Sequence, residues 1–113
     1  VIDKDFYERN ESRRERIRQT CAKARLAARD YVLNYLATHP CVDCGETDIV
    51  VLDFDHRGGK ERHVTDMARA GFSIAAIQRE IDKCEVRCAN CHRRITAKRH
   101  GGWWRSKVFK GDE

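Results

Sequence analysis

The sequence predicts a small α+β domain, closed by a four-cysteine zinc site and preceded by a long basic helix. Three observations predict it. Cysteines pair twice as C-x-x-C, at Cys41/Cys44 and Cys88/Cys91; β-branched and apolar residues fill "DIVVLDFDH" between the pairs; and apolar residues recur at helical spacing ahead of Pro40. With 113 residues, 41% hydrophobic and 36% charged, the chain has room for one modest core. Chains of this size commonly recruit a structural metal.

Residues 5–38 read as one helix. Ile17, Cys21, Ala24, Ala28, Tyr31 and Tyr35 alternate steps of four and three, Val32 and Leu36 widen that stripe, and Arg14, Arg18, Arg25 and Arg29 lie on another face. Pro40 ends the helix and pushes His39 out of the helical region. The stripe is expected to pack on the rest of the domain or on a second subunit. "PCVDCG" then forms a knuckle, "DIVVLDFDH" a buried strand and "RGGKER" a basic loop. "FSIAAIQREI" is a helix with Ser73 as N-cap and Ile74, Ile77 and Ile81 on one side. "CEVRC" supplies a second strand, and "ANCHRRITAKRHGG" a helix closed by Gly101 and Gly102. The chain thus divides into a basic amphipathic helix (1–39), a metal-bearing domain (40–102) and a basic aromatic tail (103–113).

Charge is unevenly spread. Residues 1–38 hold nine Lys/Arg against six Asp/Glu, residues 39–82 five against nine, and residues 83–113 nine against three. Basic flanks suit a polyanion such as a nucleic-acid backbone, and an acidic middle is compatible with phosphate only where a cation bridges the two. No apolar run approaches the ~20 residues that cross a bilayer, so no membrane partner is expected. "VIDKDFYERN" does not resemble a secretory signal, which points to a cytoplasmic setting where cysteines hold metal rather than form disulfides.

A C-x-x-C turn offers two thiolates to one side of a metal, and two such turns complete a tetrahedral zinc site that is closed to substrate. The pairs are separated by 43 residues, so the clamp encloses a whole sub-motif. Cys21 and Cys84 are expected as buried thiols. His92, directly behind Cys91, is left free for other work. The strand "LDFDH" presents Asp53, Asp55 and His56 to the same region. Asp55 and His92 offer one oxygen and one nitrogen to a catalytic Mg²⁺ or Mn²⁺ with positions open for water and phosphate. A neutral imidazole at His56 can take a proton from water for attack on phosphorus.

Taken together, "CVDCG", "LDFDH" and "CANCH" resemble the four-cysteine zinc branch of the HNH, or ββα-metal, endonucleases over residues 41–100. The resemblance implies a β-hairpin and helix around one divalent ion, and hydrolysis of DNA that leaves a 5′-phosphate and a 3′-hydroxyl. By position, Asp55 and His92 match the metal ligands, His56 the general base, and the four knuckle cysteines the structural zinc. That family commonly places an asparagine about five residues before the third zinc cysteine; this sequence has Lys83 there, and Asn90 is the only asparagine nearby. Asn90 is expected to tie the loop carrying His56 to the helix or to approach the metal, and Lys83 to contact phosphate. His63 is a candidate phosphate contact or alternate ligand.

Arg93, Arg94, Lys98 and Arg99 on the last helix, with Arg57, Lys60 and Arg62 on the loop, are expected along the phosphates of double-stranded DNA. Arg105, Lys107, Trp103 and Trp104 extend that basic aromatic character into the tail. One centre cuts one strand, so a monomer would nick and a homodimer would break both. The alternative is a non-catalytic zinc-containing nucleic-acid-binding module, which leaves Asp55, His56 and His92 without purpose.

Overall fold

A computed structural model describes residues 4–100. They form helix α1 (Lys4–Thr38), a 3-10 turn (Ile49–Val51), strand β1 (Leu52–His56), helices α2 (Val64–Arg69) and α3 (Ile74–Ile81), strand β2 (Cys84–Cys88) and helix α4 (Ala89–Arg99). β1 and β2 make a two-stranded antiparallel sheet, with Leu52 opposite Cys88, Phe54 opposite Val86 and His56 opposite Cys84. The α+β class is as the sequence predicts.

A two-stranded sheet is too small to be stable alone. Here Leu52 and Val86 join a core with Ala28, Val32 and Leu36 of α1, Val64, Met67 and Ala68 of α2, and Ile77 and Ile81 of α3. Each fully buried Val, Leu or Ile contributes about 1.5–3 kcal/mol. Ser73 caps α3 by accepting from the Ala76 N–H, as its sequence suggests. The turn between α2 and α3 lies against α1 at Gly71, whose φ is +73° and where a Cβ would come within 3.2 Å of Arg25 Cγ. Both the dihedral and the approach favour glycine. Tyr31 donates its hydroxyl hydrogen to Gln78 Oε1, fixing α1 on α3.

Only the second half of α1 belongs to this core. Residues 11–21 are exposed throughout, including Cys21, which is therefore not the buried thiol its spacing suggests. Ile17 is 53% exposed. Helical period reports a face; it does not report how far along that face the partner extends. In the first half, local pairs such as Arg14–Glu11 and Arg18–Glu15 lie one turn apart on the helix surface. Cys84 is half-buried, its thiol donating to the Glu80 carbonyl.

Two further differences from the sequence reading have physical causes. The expected strand from Asp48 begins only at Leu52, because its partner strand ends at Cys88, opposite Leu52, where the chain turns into α4. Left without a partner, Ile49–Val51 adopts a 3-10 turn whose first N–H groups are capped by Asp48. Helix α2 occupies a stretch in which the sequence pattern marks no element; at six residues it is too short for a period to show. Gly101 and Gly102, expected to close α4, and the tail residues Trp103, Trp104, Arg105 and Lys107 lie outside the described residues; α4 is capped at His100. Among the described residues no helix is long and apolar enough to cross a membrane.

Candidate metal centres and active site

Antiparallel pairing delivers Cys88 to the end of β2 beside the 41–44 knuckle, and α4 then brings Cys91 back on the same side. Val42 N–H donates to the Val86 carbonyl, tying the knuckle to β2, and Gly45 (φ +78°) donates to the Cys41 carbonyl to close the turn. The sulfurs of Cys41, Cys44, Cys88 and Cys91 all lie within 4.8 Å of one another. Cys44 Sγ and Cys88 Sγ are 3.7 Å apart, against about 3.8 Å for the edge of a tetrahedron built on Zn–S bonds of about 2.3 Å. Burial would push the Cys41 thiol up, but the backbone N–H groups of Cys88, Cys44 and Asp43 bring it down to about 6. Hydrogen bonding to Cys88, together with burial, pushes Cys91 up to about 12. Four sulfurs packed this closely cannot all carry charge unless a cation joins them. The donor set fits zinc.

A second cluster of polar side chains lies where β1 meets α4. The strand does not present Asp53, Asp55 and His56 to one region as its sequence suggests: alternation puts Asp53 and Asp55 on the face toward His92 and turns His56 to the other, toward Glu80. The His92 ring spans the two carboxylates: Nδ1 is 3.2 Å from Asp53 Oδ2 and Nε2 is 3.5 Å from Asp55 Oδ1. If Nδ1 carries its hydrogen toward Asp53, the Nε2 lone pair faces a carboxylate oxygen. A proton or a metal ion between them would relieve that meeting of acceptors, as would the other tautomer, with hydrogen on Nε2. Cis ligands of an octahedral ion at about 2.1 Å stand about 3 Å apart, so the gap suits a small divalent cation. Asp53 Oδ2, at Nδ1, orients the His92 ring.

Asp55 is only 3% exposed and is wrapped by cations. Arg87 Nη1 donates to Oδ2 at 2.6 Å, and Arg99 Nη1 to Oδ1 at 3.0 Å. Burial would push this carboxyl up; Arg99 first, then Arg87, outweigh it and hold the group below its ordinary value. Arg87 also donates from Nε to Asp43 at 2.8 Å, inside the first cysteine knuckle. One buried guanidinium therefore couples the sulfur cage to Asp55. Compared with known protein families, characterised proteins and solved structures, the chain matches none.

On the opposite face of β1, His56 points at α3. Its Nε2 lies 3.0 Å from Glu80 Oε1, and the two side chains are 9% and 4% exposed. The same oxygen accepts from the backbone N–H groups of Glu61 and Arg62, and Lys83 Nζ donates to Oε2 at 3.0 Å. Burial would push the Glu80 carboxyl up, but Lys83, the two backbone N–H groups and His56 bring it down to about 2. Glu80 is an ionised carboxylate in a nearly dry setting, fully supplied with donors.

The other predicted residues divide by what holds them. Asn90 is exposed and makes no hydrogen bond to the loop after His56; Lys83 makes that tie instead, donating from Nζ to the Gly59 carbonyl at 3.1 Å. Lys83 is thus engaged with Glu80, Glu61 and Gly59. Arg99 is turned to Asp55, and Arg57 Nη2 donates to the Asp82 carbonyl. Arg62 lies over the Phe72 ring. Lys60 Nζ is 2.8 Å from His63 Nε2. His63 lines a cleft of about 330 Å³ together with Asp53 and His92, although among the described residues only the cysteines gather three or more prospective ligand atoms. Arg93, Arg94 and Lys98 are exposed on α4. Sequence reasoning missed Arg87 and Glu80. Glu80 carried a signal, a carboxylate three residues after Ile77 on the buried side of an isoleucine-rich helix.

Proposed function

We infer that the chain is an HNH-type, metal-dependent endonuclease that hydrolyses phosphodiester bonds in double-stranded DNA. The observation that carries this reading is the Asp53–His92–Asp55 contact, built from a strand and from the helix that follows its partner strand. The β1–β2–α4 unit agrees with the ββα arrangement of that family, and the family's asparagine position is filled by Lys83, which performs a loop-tying role through Gly59.

A Mg²⁺ or Mn²⁺ ion between Asp55 and His92 would supply positive charge to the scissile phosphate and its departing 3′ oxygen. The chain's own residues do the rest. His56 takes a proton from the attacking water. Asp53 orients the His92 ring. Arg93, Arg94 and Lys98, with Arg57, Lys60 and Arg62 from the loop, hold the phosphate backbone without reading sequence. The sulfur cage fixes the start of α4 and so the position of His92.

The test is nicking of supercoiled plasmid by the full zinc-loaded chain with Mg²⁺ or Mn²⁺ added. Metal-dependent conversion to open circles is expected, abolished by a chelator at concentrations that leave the zinc in place. Retention of DNA with no cleavage under any divalent ion would instead favour a non-catalytic zinc-containing binding module.

A further inference from the structure

A buried carboxylate, Glu80, paired with the half-buried Lys83, is built around one nitrogen of His56. We propose that Glu80 is a positioning residue for the hydrolysis: it accepts the Nε2–H of His56, fixes that tautomer and leaves Nδ1 as the nitrogen that receives the proton. The inference rests on the nuclease reading above.

The argument starts from what each group can do. An ionised carboxylate only accepts, so at 3.0 Å from Glu80 Oε1 the His56 Nε2 must carry hydrogen. In a neutral imidazole the lone pair then resides on Nδ1, which has no hydrogen-bond partner among the described residues. Three more donors hold the carboxylate still: the Glu61 and Arg62 N–H groups and Lys83 Nζ. Lys83 is itself anchored on the Gly59 carbonyl. A buried carboxylate that merely pinned the loop would need only the loop donors. Here His56 converges on the same oxygen that takes both loop N–H groups.

The step balances as follows. Water gives a proton to Nδ1, and its oxygen forms a bond to phosphorus as the P–O3′ bond breaks. The electron pair of that bond goes to O3′, which takes a proton from solvent. His56 becomes an imidazolium whose charge is matched by Glu80, and it returns its proton to solvent.

The test uses the full zinc-loaded chain with ¹⁵N-labelled histidine, His56 being assigned by its loss in His56→Ala. Long-range ¹H–¹⁵N spectra are expected to show hydrogen on Nε2 in the unsubstituted protein. Glu80→Gln is expected to populate the other tautomer and to lower kcat for oligonucleotide cleavage about 10²–10⁴-fold, with KM and zinc content little changed. A His56 proton on Nδ1 in the unsubstituted protein overturns the proposal, and that result needs no variant to fold. So does a folded Glu80→Gln protein with its tautomer and kcat unchanged, which would make Glu80 a loop anchor. An unsubstituted protein as inert as His56→Ala would instead overturn the nuclease reading, and this role with it; active protein with an indifferent Glu80→Gln sinks the positioning role alone.

Discussion

Replacing Cys88 with serine is expected to remove zinc and folding together. Cys88 is buried, ends β2 opposite Leu52, and its sulfur both lies 3.7 Å from Cys44 Sγ and accepts the Cys91 N–H. A structural zinc site supplies an apparent ~10–16 kcal/mol, comparable with or above the whole ~5–15 kcal/mol that holds a domain together. The core has little with which to replace it, since the sheet has only two strands. The damage would spread through Arg87, which joins Asp43 in the knuckle to Asp55. Zinc stoichiometry by elemental analysis and thermal unfolding by circular dichroism check this. A Cys88→Ser protein that keeps a full zinc ion and its cooperative transition would show that the cage is not what closes the fold.

His56→Ala is expected to lower plasmid nicking about 10²–10⁴-fold, the range typical of a lost general base, while DNA binding persists. The separation follows from where His56 sits. It faces Glu80 on the side of β1 away from Asp53 and Asp55, so its loss removes one of several donors to Glu80 and leaves the Asp53–His92–Asp55 contact intact. The structural cost of losing one hydrogen bond to a charged group is about 1.5–3 kcal/mol. Paired measurements of cleavage rate and of duplex affinity by fluorescence anisotropy check it. Equal cleavage by both proteins would remove His56 from the chemistry.

Much of this arrangement is legible in the sequence, for identifiable reasons. The cysteine cage is legible because ligand spacing is a local property, and α1 because its helical period persists over many turns. The meeting of Asp55 with His92 follows once two knuckles are closed on one ion, since His92 adjoins Cys91 and Asp55 lies on the enclosed strand. What was not legible depends on register and depth. The strand's late start at Leu52 is set by where β2 ends, not by the β-branched run before it. Exposure of Ile17 and Cys21 is set by where the rest of the domain stops. Arg87 and Lys83 look like surface cations in a basic segment, and only pairing across the fold shows that each is committed to buried carboxylates. Asn90 looked like the tie for the His56 loop because of its residue type; Lys83, with the longer reach, makes that contact.

The central claim is that sulfur holds one metal for architecture while an oxygen and a nitrogen hold another for bond cleavage. Crystals of the zinc-loaded chain with a duplex oligonucleotide, soaked in manganese and measured on either side of the manganese edge, test it most directly. The account predicts anomalous manganese density between Asp55 Oδ1 and His92 Nε2, and zinc within the four cysteines. A fully bound duplex with no manganese in that gap would contradict it.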